Sequence, residues 1–324
     1  MIRRLHERGI RVLLWQAPVY KALGPDEPEN EQHRLDCEDA VRRGLCVKNA
    51  DGSPYTIPEG HWFPGSMIPD FTNPETLESW FAKRRCLLEM GVDGFKTDGG
   101  EFVYSEDARF SDGSTGREGK NRYARDYTEA YALFIGPERA LFSRAASPGS
   151  TGPPCSGGRP AVREQRAGLG APCRALGGLS GIAFWGFDIA GFAGPLPSPE
   201  LYLRATQLAC FCPVMQWHSE PDGGQFRELM PGAEGNNERS PWNMERAFGL
   251  PGFAQEVLYW HRLREALLPC YPETCGSRSS HLASSRWRRR DSTTTRARRN
   301  AATRSRLRSR SRNSRKPRSP RSIC

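Results

Sequence analysis

Pro74-Glu75-Thr76-Leu77-Glu78-Ser79-Trp80-Phe81-Ala82-Lys83-Arg84-Arg85-Cys86-Leu87-Leu88-Glu89-Met90-Gly91-Val92-Asp93-Gly94-Phe95-Lys96-Thr97-Asp98-Gly99-Gly100-Glu101 is the stretch that decides the fold. Proline suits the first turn of a helix, where its missing N–H would have no intrahelical partner. Leu77, Trp80, Phe81, Leu87 and Leu88 follow at helical spacing, so the pattern predicts a helix over 74–90. Gly91 ends it, and Val92–Phe95 is a short apolar strand. Helix, glycine and strand in this order form the repeating unit of a βαβ fold.

Working outward, the same kind of strand recurs, and each one ends on side chains of a particular type. Ile10–Leu14 ends in Trp15, and Val92–Phe95 ends in Lys96-Thr97-Asp98. Ala140–Ser143 ends in Arg144, Ile182–Phe187 in Asp188, and Phe211–Met215 in Gln216-Trp217-His218. Buried parallel strands otherwise read as plain apolar runs. In a β/α barrel the C-terminal strand ends carry the chemistry. Tryptophan beside carboxylates suits sugars, which offer a C–H face for stacking and hydroxyls for hydrogen bonds. A plainer reading stands beside this one. Asp98 and Asp188 can cap the turns after their strands, since Asp-Gly pairs form turns readily. Lys96 can be a surface cation, Arg144 a structural ion pair, and His218 a satisfied core histidine.

The chain has 324 residues and a net charge of +10. Its Arg/Ser-rich end distorts that figure: residues 277–324 hold 17 Lys/Arg against one acid, which leaves residues 1–276 at −6. The part expected to fold is therefore mildly acidic, whereas a nucleic-acid binder normally carries basic charge on its folded face. No run of 18 apolar residues occurs, so no transmembrane helix is expected. The N-terminus shows no apolar signal segment, and a cytoplasmic location follows as the expectation. The 10 cysteines fall in no metal-ligand spacing and read as free thiols.

Four stretches differ in character. Residues 1–145 have ordinary α/β composition, with a charged helix end over 3–9. Residues 146–177 hold five Pro, seven Gly and Glu164 as their single acid, with no helical or strand period. Residues 178–270 return to globular composition, with a strand over 179–188 and helices over 200–208 and 253–268. Residues 271–324 carry few apolar side chains, and such a tail cannot offset the entropy of ordering, so disorder is expected.

Five segments resemble glycoside hydrolase family 31, and they occur in the family's order. They are Pro69-Asp-Phe-Thr-Asn-Pro74, Gly91–Glu101, Phe142-Ser-Arg144-Ala, Gly178–Phe192 and Phe211–His218. The resemblance implies a (β/α)8 TIM barrel and retaining hydrolysis of α-glycosides, with no cofactor. Carried over by position, Asp98 is the nucleophile. Trp15, Arg144, Trp185, Asp188 and His218 line the subsite for the non-reducing sugar. Lys96 holds Asp98 ionised, as a nearby cation does for a carboxylate, and Glu101 supports the same turn. The implied partner is an α-linked oligosaccharide or an aryl or alkyl α-glycoside.

The sequence departs from the family's pattern in two places. The family's acid/base lies between the Phe-Ser-Arg and Gly-Leu-Ser-Gly strands, in a Trp-x-Gly-Asp type motif. Here that interval is 146–177, which has neither Trp nor Asp, so no acid/base is identified. Glu164 is the one carboxylate available there, in surroundings unlike the motif. The barrel is also expected to be incomplete, starting at about the third strand, with 271–324 as a disordered Arg/Ser-rich tail. Out-of-frame or unspliced translation of 146–177 and 271–324 accounts for both odd compositions. Two other functions compete with an α-glycosidase. One is a non-catalytic sugar-binding or misfolded fragment. The other is polyanion binding through Arg304–Arg312, for which a solvated or out-of-frame tail is the plainer reading.

Overall fold

A computed structural model describes residues 1–24, 27–28, 30–144, 186–192, 195–219 and 238–270. The chain divides into two units, Met1–Tyr271 and Pro272–Cys324, and all described residues lie in the first. The stretch 146–177, residues 179–185 of the strand expected over 179–188, and the 271–324 tail fall outside them.

The order is α1 (Ile2–His6), β1 (Leu13–Gln16), α2 (Glu31–Arg42), α3 (Pro74–Ala82), α4 (Arg85–Glu89), β2 (Gly94–Thr97), α5 (Gly116–Ile135) and β3 (Ala140–Ser143). It continues with α6 (Pro199–Cys210), α7 (Pro241–Phe248) and α8 (Phe253–Leu267). Strands β1, β2 and β3 form one parallel sheet in that order. Leu13, Gly94 and Ala140 share one rung; Gln16, Thr97 and Ser143 share another three residues on. Gly94 is required by this pairing, because a Cβ there would sit 1.8 Å from the Ala140 carbonyl oxygen.

Side chains alternate across the sheet. Phe95 is fully buried and packs against Tyr131 and Phe134 of α5, while Thr97 Oγ1 meets Ser143 Oγ at 2.6 Å on the same face. The opposite face carries Trp15, Lys96 and Phe142 on one rung. Asp98 and Arg144 follow at the C-terminal ends, held by Asp98 N–H to Gln16 O (2.8 Å) and Arg144 N–H to Thr97 O (3.1 Å).

Local chemistry sets the helix starts. Asn73 caps α3 by accepting from Glu75 N–H at 2.9 Å, with Pro74 in the first turn. Asp70, two residues before Thr72, accepts from Thr72 N–H (3.0 Å), Thr72 Oγ1 (2.7 Å) and Ser111 N–H (2.7 Å). The Pro69–Pro74 segment is thus a turn and a cap in sequence. Thr115 and Glu118 form a reciprocal capping box at the start of α5.

Two expectations are corrected. The helix predicted over 74–90 is two helices, α3 and α4. The break falls where Arg84 N–H bonds Phe81 O, while the Arg84 guanidinium takes the Trp80 carbonyl at 2.8 Å and lies 3.6 Å from the Trp80 ring centre. The strand expected over Phe211–Met215 is a turn following α6; pairing is limited to a parallel bridge between Gln216 and Asp188. Pro213, which lacks an N–H, interrupts any ladder there.

The buried apolar residues form two clusters. One joins α2, α3, the sheet and α5 through Leu45, Ile57, Ile68, Trp80, Phe95, Tyr127 and Tyr131. The other joins Phe187, Ile189, Tyr202, Met244, Phe253 and Val257. Among the described residues Cys37, Cys46, Cys86, Cys210 and Cys212 are free thiols, and no helix is long and apolar enough to cross a membrane.

Candidate active site

Asp98 is 5% exposed and its carboxylate is met from three directions. Trp15 Nε1–H donates to Oδ2 at 2.9 Å. Gly99 N–H donates to Oδ1 at 3.0 Å, and Arg144 Nε–H donates to the same oxygen at 2.5 Å. The Arg144 fork also reaches Glu101 Oε2 at 2.6 Å, so one guanidinium holds both acids. Arg144 is 23% exposed at its side chain and Glu101 50%, which places the pair at the mouth of the site and Asp98 at its floor. Charge-assisted bonds of this kind favour the ionised carboxylate.

The backbone makes this geometry possible. Gly99 has φ +79 and Gly100 φ +103, both in the left-handed region. A Cβ on Gly99 would lie 2.6 Å from the Phe102 ring. The turn after Asp98 is therefore tight against buried Phe102, whose carbonyl accepts from Tyr55 Oη–H at 2.9 Å. Behind the strand, Gln16 O accepts both Asp98 N–H and Tyr127 Oη–H (3.1 Å). Burial holds the Tyr127 phenol well above its usual range, so it remains a donor.

Lys96 lies two residues before Asp98, beside Trp15 and Phe142, with Nζ 5.9 Å from the Phe142 ring centre. The guanidinium of Arg144 is hydrogen-bonded to Asp98. Asp98 also bonds the following amide, so the turn-capping geometry and the convergent site coexist in one residue. Asp188 is buried and accepts from Gln216 Nε2 at 2.8 Å, while Ile189 N–H bonds Gln216 O at 3.1 Å. Close approach of these segments needs Gly186, where a Cβ would lie 2.6 Å from Val214 O. His218 is half-buried, its ring 5.5 Å from that of Phe192. Trp185 and Glu164 lie outside the described residues. Among the described residues no cluster of potential metal ligands occurs.

Sequence reasoning missed the segment His61-Trp62-Phe63. The Trp62 ring lies 5.5 Å from Arg144 Cζ and 6.1 Å from the Trp15 ring, and it stacks on Phe63 at 4.6 Å. Its signal was three consecutive ring side chains in a Pro/Gly-rich loop, which no strand or helix period marks.

A parallel α/β sheet with its buried acid and cation at the C-terminal strand ends is the arrangement of α/β enzyme sites, barrels among them. The Glycosyl hydrolases family 31 TIM-barrel domain matches residues 1–273, and the chain belongs to that family. It is 37% identical over 84% of its length to a 1,3-alpha-isomaltosidase of Kribbella flavida, and 34% identical over 83% to an isomaltosyltransferase of Sporosarcina globispora. It spans 37% and 24% of those two proteins, respectively. Among solved structures, a cycloalternan-degrading enzyme from Trueperella pyogenes superposes with a TM-score of 0.69 at 36% identity, over 83% of this chain and 37% of that one.

Proposed function

We propose that this chain carries the nucleophile side of a retaining α-glycosidase site, with Asp98 attacking the anomeric carbon of an α-linked glucosyl or xylosyl unit. The observation that carries the reading is the buried Asp98 carboxylate at the end of β2, oriented by Trp15, Gly99 and Arg144. In the first step an Asp98 oxygen bonds to the anomeric carbon as the bond to the leaving oxygen breaks. In the second, water attacks the same carbon, releases Asp98 and gives its proton to solvent or a nearby base. Arg144 and Trp15 hold the carboxylate charged and aimed before attack, and Glu101 fixes the outer arm of Arg144. Lys96 adds positive charge two residues earlier on the strand. Trp15, Arg144, Asp188 and His218 are assigned to the sugar subsite in this reading, and Trp185 joins them on the family motif alone.

In this reading residues 1–145 and 178–270 are barrel segments. Residues 146–177 stand where the family's acid/base region would be, and 271–324 form a basic tail. Relatives that include a 1,3-alpha-isomaltosidase and alpha-xylosidases support an α-linked oligosaccharide or a simple α-glycoside as substrate. A missing general acid typically costs about 10²–10⁴-fold, so turnover should depend steeply on the leaving group. Aryl α-glycosides, whose phenolate leaves without a proton, should be cleaved best. A non-catalytic sugar binder is the second reading, favoured by the absence of Asp and Trp from 146–177.

The test is hydrolysis of 4-nitrophenyl α-glucoside and α-xyloside by the chain beside its Asp98→Asn variant. Nitrophenol release that is abolished in the variant supports the nucleophile. Release that is unchanged in the variant, or absent from a cooperatively folded chain, refutes it.

A further inference from the structure

We propose that Trp62 is a positioning residue that sets the charge state of Asp98 by seating the Arg144 guanidinium. The inference rests on the site described above and adds a residue that touches neither Asp98 nor, in this reading, the reacting atoms. Arg144 Cζ sits 5.5 Å from the Trp62 ring centre, within the range where a cation is drawn to an aromatic face. The same indole lies 6.1 Å from the Trp15 ring.

The loop that presents Trp62 is held firmly. Gly65 N–H bonds Ile57 O at 2.8 Å, and Ile57 N–H bonds Ser66 O at 2.9 Å. Between them Phe63 adopts φ 61, a left-handed conformation rare for an aromatic residue. Such a conformation persists where the surroundings over-determine it, and it clusters at functional sites. Phe63 and Trp62 both contact the buried Phe102 ring, at 6.2 Å and 5.9 Å, and Phe102 is the ring that abuts the Gly99 turn. Trp62 and the turn carrying Asp98 thus share one support.

Without the ring, the Arg144 arm loses its seat, and its two hydrogen bonds no longer have a fixed fork. A cation that spends less time against a carboxylate favours its charged form less. The test is a carbon-detected NMR titration of the Asp98 carboxyl in the full chain, with the resonance assigned by its loss in Asp98→Asn. Trp62→Leu should raise the Asp98 midpoint by roughly one pH unit, and Trp62→Phe, which keeps a face, should raise it by less than half as much. In an Arg144→Ala background Trp62→Leu should add no further shift, because the route through Arg144 is gone. An unchanged midpoint in folded Trp62→Leu, or an equal shift in the Arg144→Ala background, overturns the proposal. If Trp62→Leu does not unfold cooperatively, Trp62→Met serves instead, with the same expected and overturning results. Labelling by a 5-fluoro-α-glucosyl fluoride separates the two levels. A midpoint shift without label at Asp98 removes the catalytic reading alone, and label without a shift removes the Trp62 inference alone.

Discussion

Replacing Gly99 with alanine tests whether the turn after Asp98 is as tight as its geometry requires. Two costs arise. The residue has φ +79, where an L side chain costs about 1–2 kcal/mol. Its new Cβ would also lie 2.6 Å from two atoms of the Phe102 ring and 3.4 Å from Pro18 Cδ. Phe102 is 1% exposed and cannot swing away, so overpacking adds roughly 1–3 kcal/mol. The total is about 2–5 kcal/mol. Gly113→Ala supplies the control, because Gly113 has φ +86 but a Cβ there meets nothing within 4 Å. It should lose about 1–2 kcal/mol from conformation alone. Urea unfolding followed by circular dichroism gives both values, and their difference isolates the steric part. Gly99→Ala should also slow any Asp98-dependent turnover, since Gly99 N–H bonds the Asp98 carboxylate. Equal losses in the two variants would refute the argument that Phe102 confines the turn.

Three further outcomes follow from the packing. Phe95→Ala removes a fully buried ring from between β2 and α5 and should cost about 3–5 kcal/mol in the same unfolding assay. Thr115→Ala breaks the capping box of α5 and should cost about 1 kcal/mol. Asp93 titrates below its usual 3.8; burial opposes this, but Val12 N–H, His6 and Arg11 together outweigh it. A depressed carboxyl stabilises the fold above its unfolded pKa, and that contribution is lost as pH falls through the folded value. The gap in melting temperature between the parent chain and Asp93→Asn should therefore be full above about pH 5 and narrow towards pH 3, read from thermal melts.

Much of the architecture was legible because burial imposes period and punctuation. The helix–Gly91–strand order and the parallel strands ending at Trp15, Asp98 and Arg144 follow from where apolar runs stop. The break between α3 and α4 was not legible, because nothing in Lys83-Arg84 is a helix breaker. It arises when Arg84 folds back onto Trp80 and takes its carbonyl, a tertiary choice fixed by Gln16 and Tyr131. The Phe211–Met215 run looked like a strand because its residues are apolar, yet Pro213 and the end of α6 leave a turn there. At the site, Asp98 stood out as a carboxylate at a strand end. Trp62 did not, since its role depends on a ring meeting a guanidinium 82 residues away in sequence. Asp70 shows the converse, because a motif shared with the family is here a turn-forming carboxylate beneath α3.

The measurement that tests the central claim most directly is identification of the residue that takes on a sugar. The chain would be incubated with a 5-fluoro-α-glucosyl fluoride, which supplies its own leaving group and needs no general acid. Peptide mass spectrometry would then locate the adduct. The account predicts one glycosyl group on the peptide containing Asp98, absent from Asp98→Asn. An adduct on a different carboxylate, or none on a chain that unfolds cooperatively, would contradict it.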